Sequence, residues 1–238
     1  RWKDWQKEID HMTSYILGDS ITKGVYINEE GRYVFNKDNY LNSILQSLGH
    51  AVKNFSAFGA TIEKGKDILA RRKDSMEKNA YVFLEFGGND CNFQWDKVAD
   101  APHSPHVPNT SLEDYAKHYG ELLDELIKDG FQPILLSLPP LDPKAFYSYL
   151  TKFLNGEALL TFLKKVESIF FWQEDYDKVV RKLSQEKSIP LIDLRADILE
   201  KIPYESFICE DGMHLTLDAQ AFLKERLYQP IKDLLSTS

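Results

Sequence analysis

The chain has few cysteines, no long apolar run and no excess of positive charge, and each shortage argues against a class of protein. Two cysteines in 238 residues cannot build a disulfide framework, so we expect free thiols and a cytoplasmic protein, with a Cys91–Cys209 bridge and secretion after processing as less favoured alternatives. No apolar run approaches the roughly 18 residues of a membrane-spanning helix. The net charge of −8 repels phosphates, so no nucleic-acid partner is expected.

The composition is sufficient for a substantial core. Hydrophobic residues make up 43% of the chain and aromatic residues 13%. An α/β sheet protein can use this length in one unit, and neither an internal repeat nor a linker interrupts it. We therefore expect a single domain over residues 1–238, with an N-terminal extension at about 1–12.

Short apolar runs alternate with segments of helical periodicity along the whole chain. This alternation predicts a mostly parallel five-stranded sheet with helices on both faces, a doubly wound three-layer α/β/α sandwich. The predicted strands lie at about 15–17, 51–55, 81–86, 133–138 and 190–194. The predicted helices, with their capping residues, lie at about 38–49, 61–73, 110–130, 143–187 and 216–235.

Polar residues follow several of these strands, at the sheet edge where such folds bind ligands. Ser20 follows the first strand, Gly59 the second and Asn89 the third, while Asp211 and His214 precede the last helix. A serine hydroxyl becomes a nucleophile when an imidazole removes its proton, and a carboxylate can orient that imidazole. The backbone N–H groups of Ser20 and Gly59, with the Asn89 amide, would form an oxyanion hole. The sequence therefore predicts acyl transfer by Ser20, His214 and Asp211.

Four sequence blocks carry a resemblance to the GDSL/SGNH hydrolases, a family of serine esterases. They are Gly18-Asp19-Ser20-Ile21-Thr22, the turn at Gly59, Gly87-Gly88-Asn89-Asp90 and Asp211-Gly212-Met213-His214, in order between about residues 13 and 230. The resemblance implies a flavodoxin-like fold and ester or thioester hydrolysis without a cofactor. It implies the same three residues as the triad.

Each of these residues also has a purely structural interpretation. Ser20 alone could cap a helix, and Asn89 could be an ordinary turn residue. Asp19 and Asp90 are candidate substrate contacts, although shaping the loops is the better explanation for both. His103 and His106 lack the further ligands of a metal site, so none is predicted.

The segment at about 140–175 is a helical insertion rich in aromatic residues, and it fits the family pattern least well. Most of its rings are expected to pack over the sheet, while an oligomer contact is an alternative that would make the protein a homo-oligomer. We expect Phe146, Tyr147 and Trp172 to contact substrate and to shape selectivity.

The predicted function is hydrolysis of acyl esters through an acyl-serine intermediate. Short acyl groups are favoured, with acetyl groups on carbohydrate as a specific suggestion. A lysophospholipase, a thioesterase and an acyltransferase are alternatives on the same three residues. A non-catalytic module that binds carbohydrate or lipid is the alternative outside enzymes.

Overall fold

A computed structural model describes residues 12–236 of the chain. The expected N-terminal extension lies outside the described residues except for Met12, and the single-domain interpretation stays a prediction. The strands are β1 (Thr13–Gly18), β2 (Val25–Ile27), β3 (Tyr33–Phe35), β4 (Ala51–Asn54), β5 (Tyr81–Glu85), β6 (Gln132–Leu136) and β7 (Leu191–Ile192).

Five of these strands form one parallel sheet in the order β4-β1-β5-β6-β7. The register places Ile16 beside Asn54 on one side and beside Phe83 on the other. Strands β1 and β5 are buried along their whole length, which explains why they appear in the sequence as nearly continuous apolar runs. The predicted α/β/α architecture is confirmed.

Helices cover both faces of the sheet. They are α1 (Ser20–Lys23), α2 (Tyr40–Ser47), α3 (Ile62–Arg72), α4 (Trp95–Asp100), α5 (Leu112–Lys128), α6 (Pro143–Leu150), α7 (Gly156–Leu163), α8 (Ser168–Lys187), α9 (Leu194–Leu199) and α10 (Leu217–Ser236). Helices α3, α5 and α8 pack on one face, and α2, α9 and α10 pack on the other. None of the helices between residues 12 and 236 combines the length and hydrophobicity that a membrane crossing requires.

The structure differs from the sequence prediction in several places, among them the short helices α1 and α4, which were not predicted. The fifth strand is only Leu191–Ile192, because the Asp193 side chain accepts the Ala196 N–H and begins α9. The region 143–187 is three helices, the second of which begins where Asn155 caps it. The antiparallel pair β2–β3 was not predicted. Strands of three residues produce almost no periodic signal.

The capping and thiol predictions are more accurate. Asn39, Thr61 and Ser111 each accept a backbone N–H at the start of the predicted helix. Cys91 and Cys209 are both buried and free, so the alternative of a disulfide bridge is wrong.

Candidate active site

Ser20 lies at a sharp turn between β1 and α1. The Asp19 side chain accepts the Ile21 N–H at 2.8 Å and caps the helix, so Ser20 is its first residue. The turn is tightly packed: a Cβ on Gly18 would lie 2.0 Å from Thr22 Oγ1, so the position requires glycine. The Ser20 side chain is thereby held at the carboxyl edge of the sheet and remains 6% exposed.

Ser20, His214 and Asp211 form a continuous hydrogen-bonded chain. Ser20 Oγ lies 2.9 Å from His214 Nε2, and His214 Nδ1 lies 2.5 Å from Asp211 Oδ2. With the proton on Nδ1, the imidazole donates to the carboxylate and Nε2 is free to accept the serine proton. Ser20 lies at least 191 positions before Asp211 and His214 in the sequence, and the fold brings the three predicted residues together.

The Asp211 carboxylate is held in its ionised form. Burial by itself would raise its pKa, but the hydrogen bond and charge of His214 and the N–H groups of Met213 and His214 outweigh burial, so the pKa lies below its ordinary value. Those two N–H groups reach Asp211 Oδ1 at 3.0 and 3.1 Å. The carboxylate is therefore both oriented and charged next to the imidazole.

Gly59 and Asn89, the other predicted oxyanion donors, line the same cavity as Ser20. Gly59 has φ +74°, a left-handed conformation that favours glycine. Asn89 Nδ2 donates to the Ala60 carbonyl at 3.0 Å and lies 3.4 Å from Asp19 Oδ2. The second contact is long, so one amide hydrogen can turn towards a developing negative charge.

Tyr33, on β3, was not predicted as a site residue. Its hydroxyl donates to Asp211 Oδ2 at 2.9 Å, the same oxygen that faces His214, and its ring meets the imidazole edge-on at 5.2 Å. Burial, with the neighbouring Tyr149 and Asp211, raises the pKa of Tyr33 well above its ordinary value, so it remains a donor. Tyr33 and Asp211 are 178 positions apart, and no local pattern indicates their contact.

Glu85 is a second residue that the sequence analysis missed. It ends β5 directly beside Gly18, is 1% exposed and has no partner for Oε2. Burial, then the charge of Asp19, raises its pKa well above the ordinary value, and a hydrogen bond joins the two carboxyl groups. Asp19 faces donors, so Glu85 holds the proton and donates to Asp19. The sequence did offer one indication of this residue, since a glutamate stands inside the otherwise apolar run 81–86.

A cavity of ≈ 250 Å³, here called the chamber, opens beside Ser20 and His214. Asp19, Gly59 and Asn89 line it near the nucleophile. Its far walls are apolar and come largely from the loop after β5 and from the insertion. They include Phe93, Trp95, Leu141, Phe146, Ile169 and Trp172.

Two of the five candidate substrate residues do not line the chamber. Asp90 is fully buried and accepts the Ile62 N–H and the Thr110 hydroxyl, which is the loop-shaping role. The Tyr147 hydroxyl donates to the Gly156 carbonyl and packs within the insertion. Asp19, Phe146 and Trp172 do line the chamber.

Comparisons with solved structures show where this fold occurs. A lipase/acylhydrolase from Enterococcus faecalis superposes with TM-score 0.64 at 16% identity, over 93% of this chain and 96% of the other. The acetyl xylan esterase AlAXEase gives 0.59 at 20% identity, over 92% and 100%. Est24, a carbohydrate acetylesterase from Sinorhizobium meliloti, gives 0.63 at 13% identity, over 94% and 99%. Identities this low establish similarity of fold alone.

Sequence comparison identifies the family. No curated protein matches the chain significantly. The family model of the GDSL-like lipase/acylhydrolases matches residues 15–227, a span that runs from within β1 to within α10 and includes the other four strands of the sheet. The chain therefore belongs to the GDSL-like lipase/acylhydrolase family and is an ester-hydrolysing enzyme.

Proposed function

We propose that this protein hydrolyses carboxylic esters through an acyl intermediate on Ser20. The observation that supports it is the hydrogen-bonded chain from Ser20 Oγ through His214 to Asp211, with separations of 2.9 and 2.5 Å. These distances allow direct proton transfer and need no cofactor in the reaction.

In the first half-reaction, Ser20 Oγ attacks the ester carbonyl carbon and its proton moves to His214 Nε2. The carbonyl oxygen becomes an oxyanion, which accepts hydrogen bonds from the Ser20 and Gly59 N–H groups and the Asn89 amide. The C–O bond to the alcohol then breaks, and His214 returns the proton to the leaving oxygen. In the second half-reaction, water attacks the acyl carbon and gives a proton to His214 Nε2. The bond between the acyl carbon and Ser20 Oγ then breaks, His214 returns the proton to Ser20, and the acid is released.

The proposed substrates are esters of short acyl groups, with acetyl groups on carbohydrate as the specific suggestion. The suggestion draws on structural neighbours described as an acetyl xylan esterase and a carbohydrate acetylesterase. The leaving alcohol takes its proton from His214, so it lies on that side of the site. There Phe58 is 58% exposed and stacks on the imidazole, a surface on which a sugar ring can pack.

A cytoplasmic location remains part of the proposal because Cys91 and Cys209 are both free.

Active-site labelling tests the mechanism. A fluorophosphonate should label the folded wild type at Ser20, and Ser20→Ala should abolish both labelling and hydrolysis. Ser43 lies on α2 and its hydroxyl donates to the Asp38 carbonyl; Ser43→Ala serves as the matched control and should retain both labelling and hydrolysis. Labelling that persists in Ser20→Ala, or a folded wild type that resists the probe, would refute the proposal and favour a binding module.

Asp211→Asn tests the role of the carboxylate. The amide cannot accept the Nδ1 proton in the same way, and in serine hydrolases this exchange lowers kcat by about 10,000-fold. Product analysis with an added sugar acceptor distinguishes hydrolysis from acyl transfer, because hydrolysis releases the free acid whereas transfer forms an ester of the sugar.

A further inference from the structure

A second cavity lies next to the chamber. It has a volume of ≈ 250 Å³ and lies between the loop after β5, the start of α5 and α8. The two cavities share three lining residues, Cys91, Phe93 and Trp172. These side chains therefore form a partition with a cavity on each side.

The partition consists mainly of two aromatic rings from different parts of the chain. Phe93 follows β5, and Trp172 lies on α8. Their ring centroids are 4.4 Å apart with an angle of 35° between the planes. Phe162 packs against both, at 5.4 and 5.5 Å. Contacts between rings hold the partition in place, so replacing one ring by a smaller side chain would open it.

The chamber suits an apolar group. Two of the polar side chains in its wall already bond to protein atoms. Gln173 donates to the Pro139 carbonyl and accepts from Arg195, and Asn92 Oδ1 accepts the indole N–H of Trp95 at 2.7 Å. A sugar placed at the apolar end, away from Asp19, Glu85 and Asn89, would leave hydroxyl groups unpaired, at a cost that an alkyl chain does not incur.

Position relative to His214 separates the two halves of the ester. The alcohol must reach His214, beside the exposed Phe58 ring. Phe58 and His214 line one part of the chamber, and Cys91, Phe93 and Trp172 line it at the partition. The acyl group stays on Ser20 when the alcohol leaves past His214, so it is the half of the ester that can occupy the apolar end at the partition.

We propose that Phe93 and Trp172 form the end wall of an acyl-binding chamber and set the longest acyl chain that the enzyme accepts. This inference rests on the proposed function. Beyond the wall, Pro108, Leu112 and Tyr176 supply apolar surface beside the polar Ser111 and Asp175, so a chain that passed the wall would again contact apolar side chains. The wall, rather than the chemistry at Ser20, then limits the substrates to short acyl groups.

A series of p-nitrophenyl esters from acetyl to decanoyl tests the wall, with Phe93→Ala and Trp172→Ala as variants. In the wild type, kcat/KM should rise with chain length by about fourfold per buried methylene, then fall once the chain meets the rings. In both variants the rise should continue to longer chains, so that the ratio of kcat/KM for a long-chain ester to that for the acetyl ester increases. An unchanged optimum in both folded variants would overturn the proposal.

Matched variants separate the wall from general loosening. Phe171→Ala removes the neighbouring ring of α8, which is 51% exposed and does not line the chamber, and it should leave the optimum where it is. Trp172→Leu opens less space and should give a smaller shift, which keeps the test available if Trp172→Ala fails to fold. A shift in Phe171→Ala equal to that in Trp172→Ala would count against the wall.

Alkyl phosphonates of increasing length give a second measurement that needs no turnover. Labelling of Ser20 should show the same dependence on chain length and the same shift in the variants. If no ester or phosphonate reacts with the wild type, the proposed function itself fails. If short ones react and the variants keep the wild-type optimum, only the wall is wrong.

Discussion

Replacing Asn89 by alanine should slow turnover without weakening substrate binding. Asn89 Nδ2 donates to the Ala60 carbonyl at 3.0 Å and lies only 3.4 Å from Asp19 Oδ2. The first bond orients the amide, and the weakly held second hydrogen is available to the oxyanion. A donor that bonds to the transition state and not to the ground state contributes to kcat and leaves KM nearly unchanged.

The expected loss can be placed within the usual range. Removing one oxyanion donor lowers kcat by about 100- to 1000-fold. Asn89 is half-buried and faces the chamber, where water can replace part of the missing interaction, and two backbone donors remain. We therefore expect a loss near 100-fold in kcat for Asn89→Ala, measured by steady-state hydrolysis of a short-chain ester.

A control distinguishes lost charge stabilisation from a disturbed loop. Asn109 Nδ2 donates to the Asn89 carbonyl at 2.9 Å, so Asn109→Ala loosens the same loop while leaving the Asn89 amide in place. Its loss in kcat should be below about tenfold. The reasoning is refuted if Asn89→Ala loses less than about fivefold in kcat, or if its loss appears mainly in KM.

Three further variants test the surroundings of the site. Tyr33→Phe removes one donor from Asp211, and because Tyr33 is partly exposed the loss should be about 1 kcal/mol, or about fivefold in kcat/KM; no change would show that the other donors suffice. Glu85→Gln keeps a neutral donor for Asp19 and should retain activity within about threefold, whereas Glu85→Ala should lose more than tenfold in kcat, and the reverse order would contradict the assignment. Burial raises the pKa of Asp90 to about 6. The folded protein then holds a proton that the unfolded chain releases, so its free energy of unfolding should fall as pH rises from about 4 to about 6, by up to about 3 kcal/mol from this group. Urea titrations across that range should show this component in the wild type and not in Asp90→Asn.

The sheet could be predicted because its evidence is local. The run 81–86 is apolar and aromatic except for Glu85, and a strand buried on both faces needs an apolar composition wherever it lies in a fold. Helix starts such as Asn39 and Ser111 are also local, since a cap and its N–H partner are three residues apart. The strand at 190–194 was predicted too long because Asp193 can end a strand or begin a helix, and the next turn of chain decides between them.

The residues of the candidate site could be predicted for a different reason. In a parallel sheet the carboxyl ends of the strands meet at one edge, so topology alone places Ser20 and Asn89 near each other. The position of His214 follows from the block it shares with Asp211, three residues earlier. What the amino-acid order determined was therefore the sheet, its helices and the chemistry at its edge.

Only the tertiary structure decided which other side chains surround that chemistry. Tyr33 reaches Asp211 from a hairpin whose strands are too short to predict. Glu85 acquires its proton from burial beside Asp19, and the partition of Phe93 and Trp172 joins a loop to a helix about 80 positions later. Each of these depends on packing between segments distant in the chain, and contacts of that kind leave no periodic or spacing signal in the sequence.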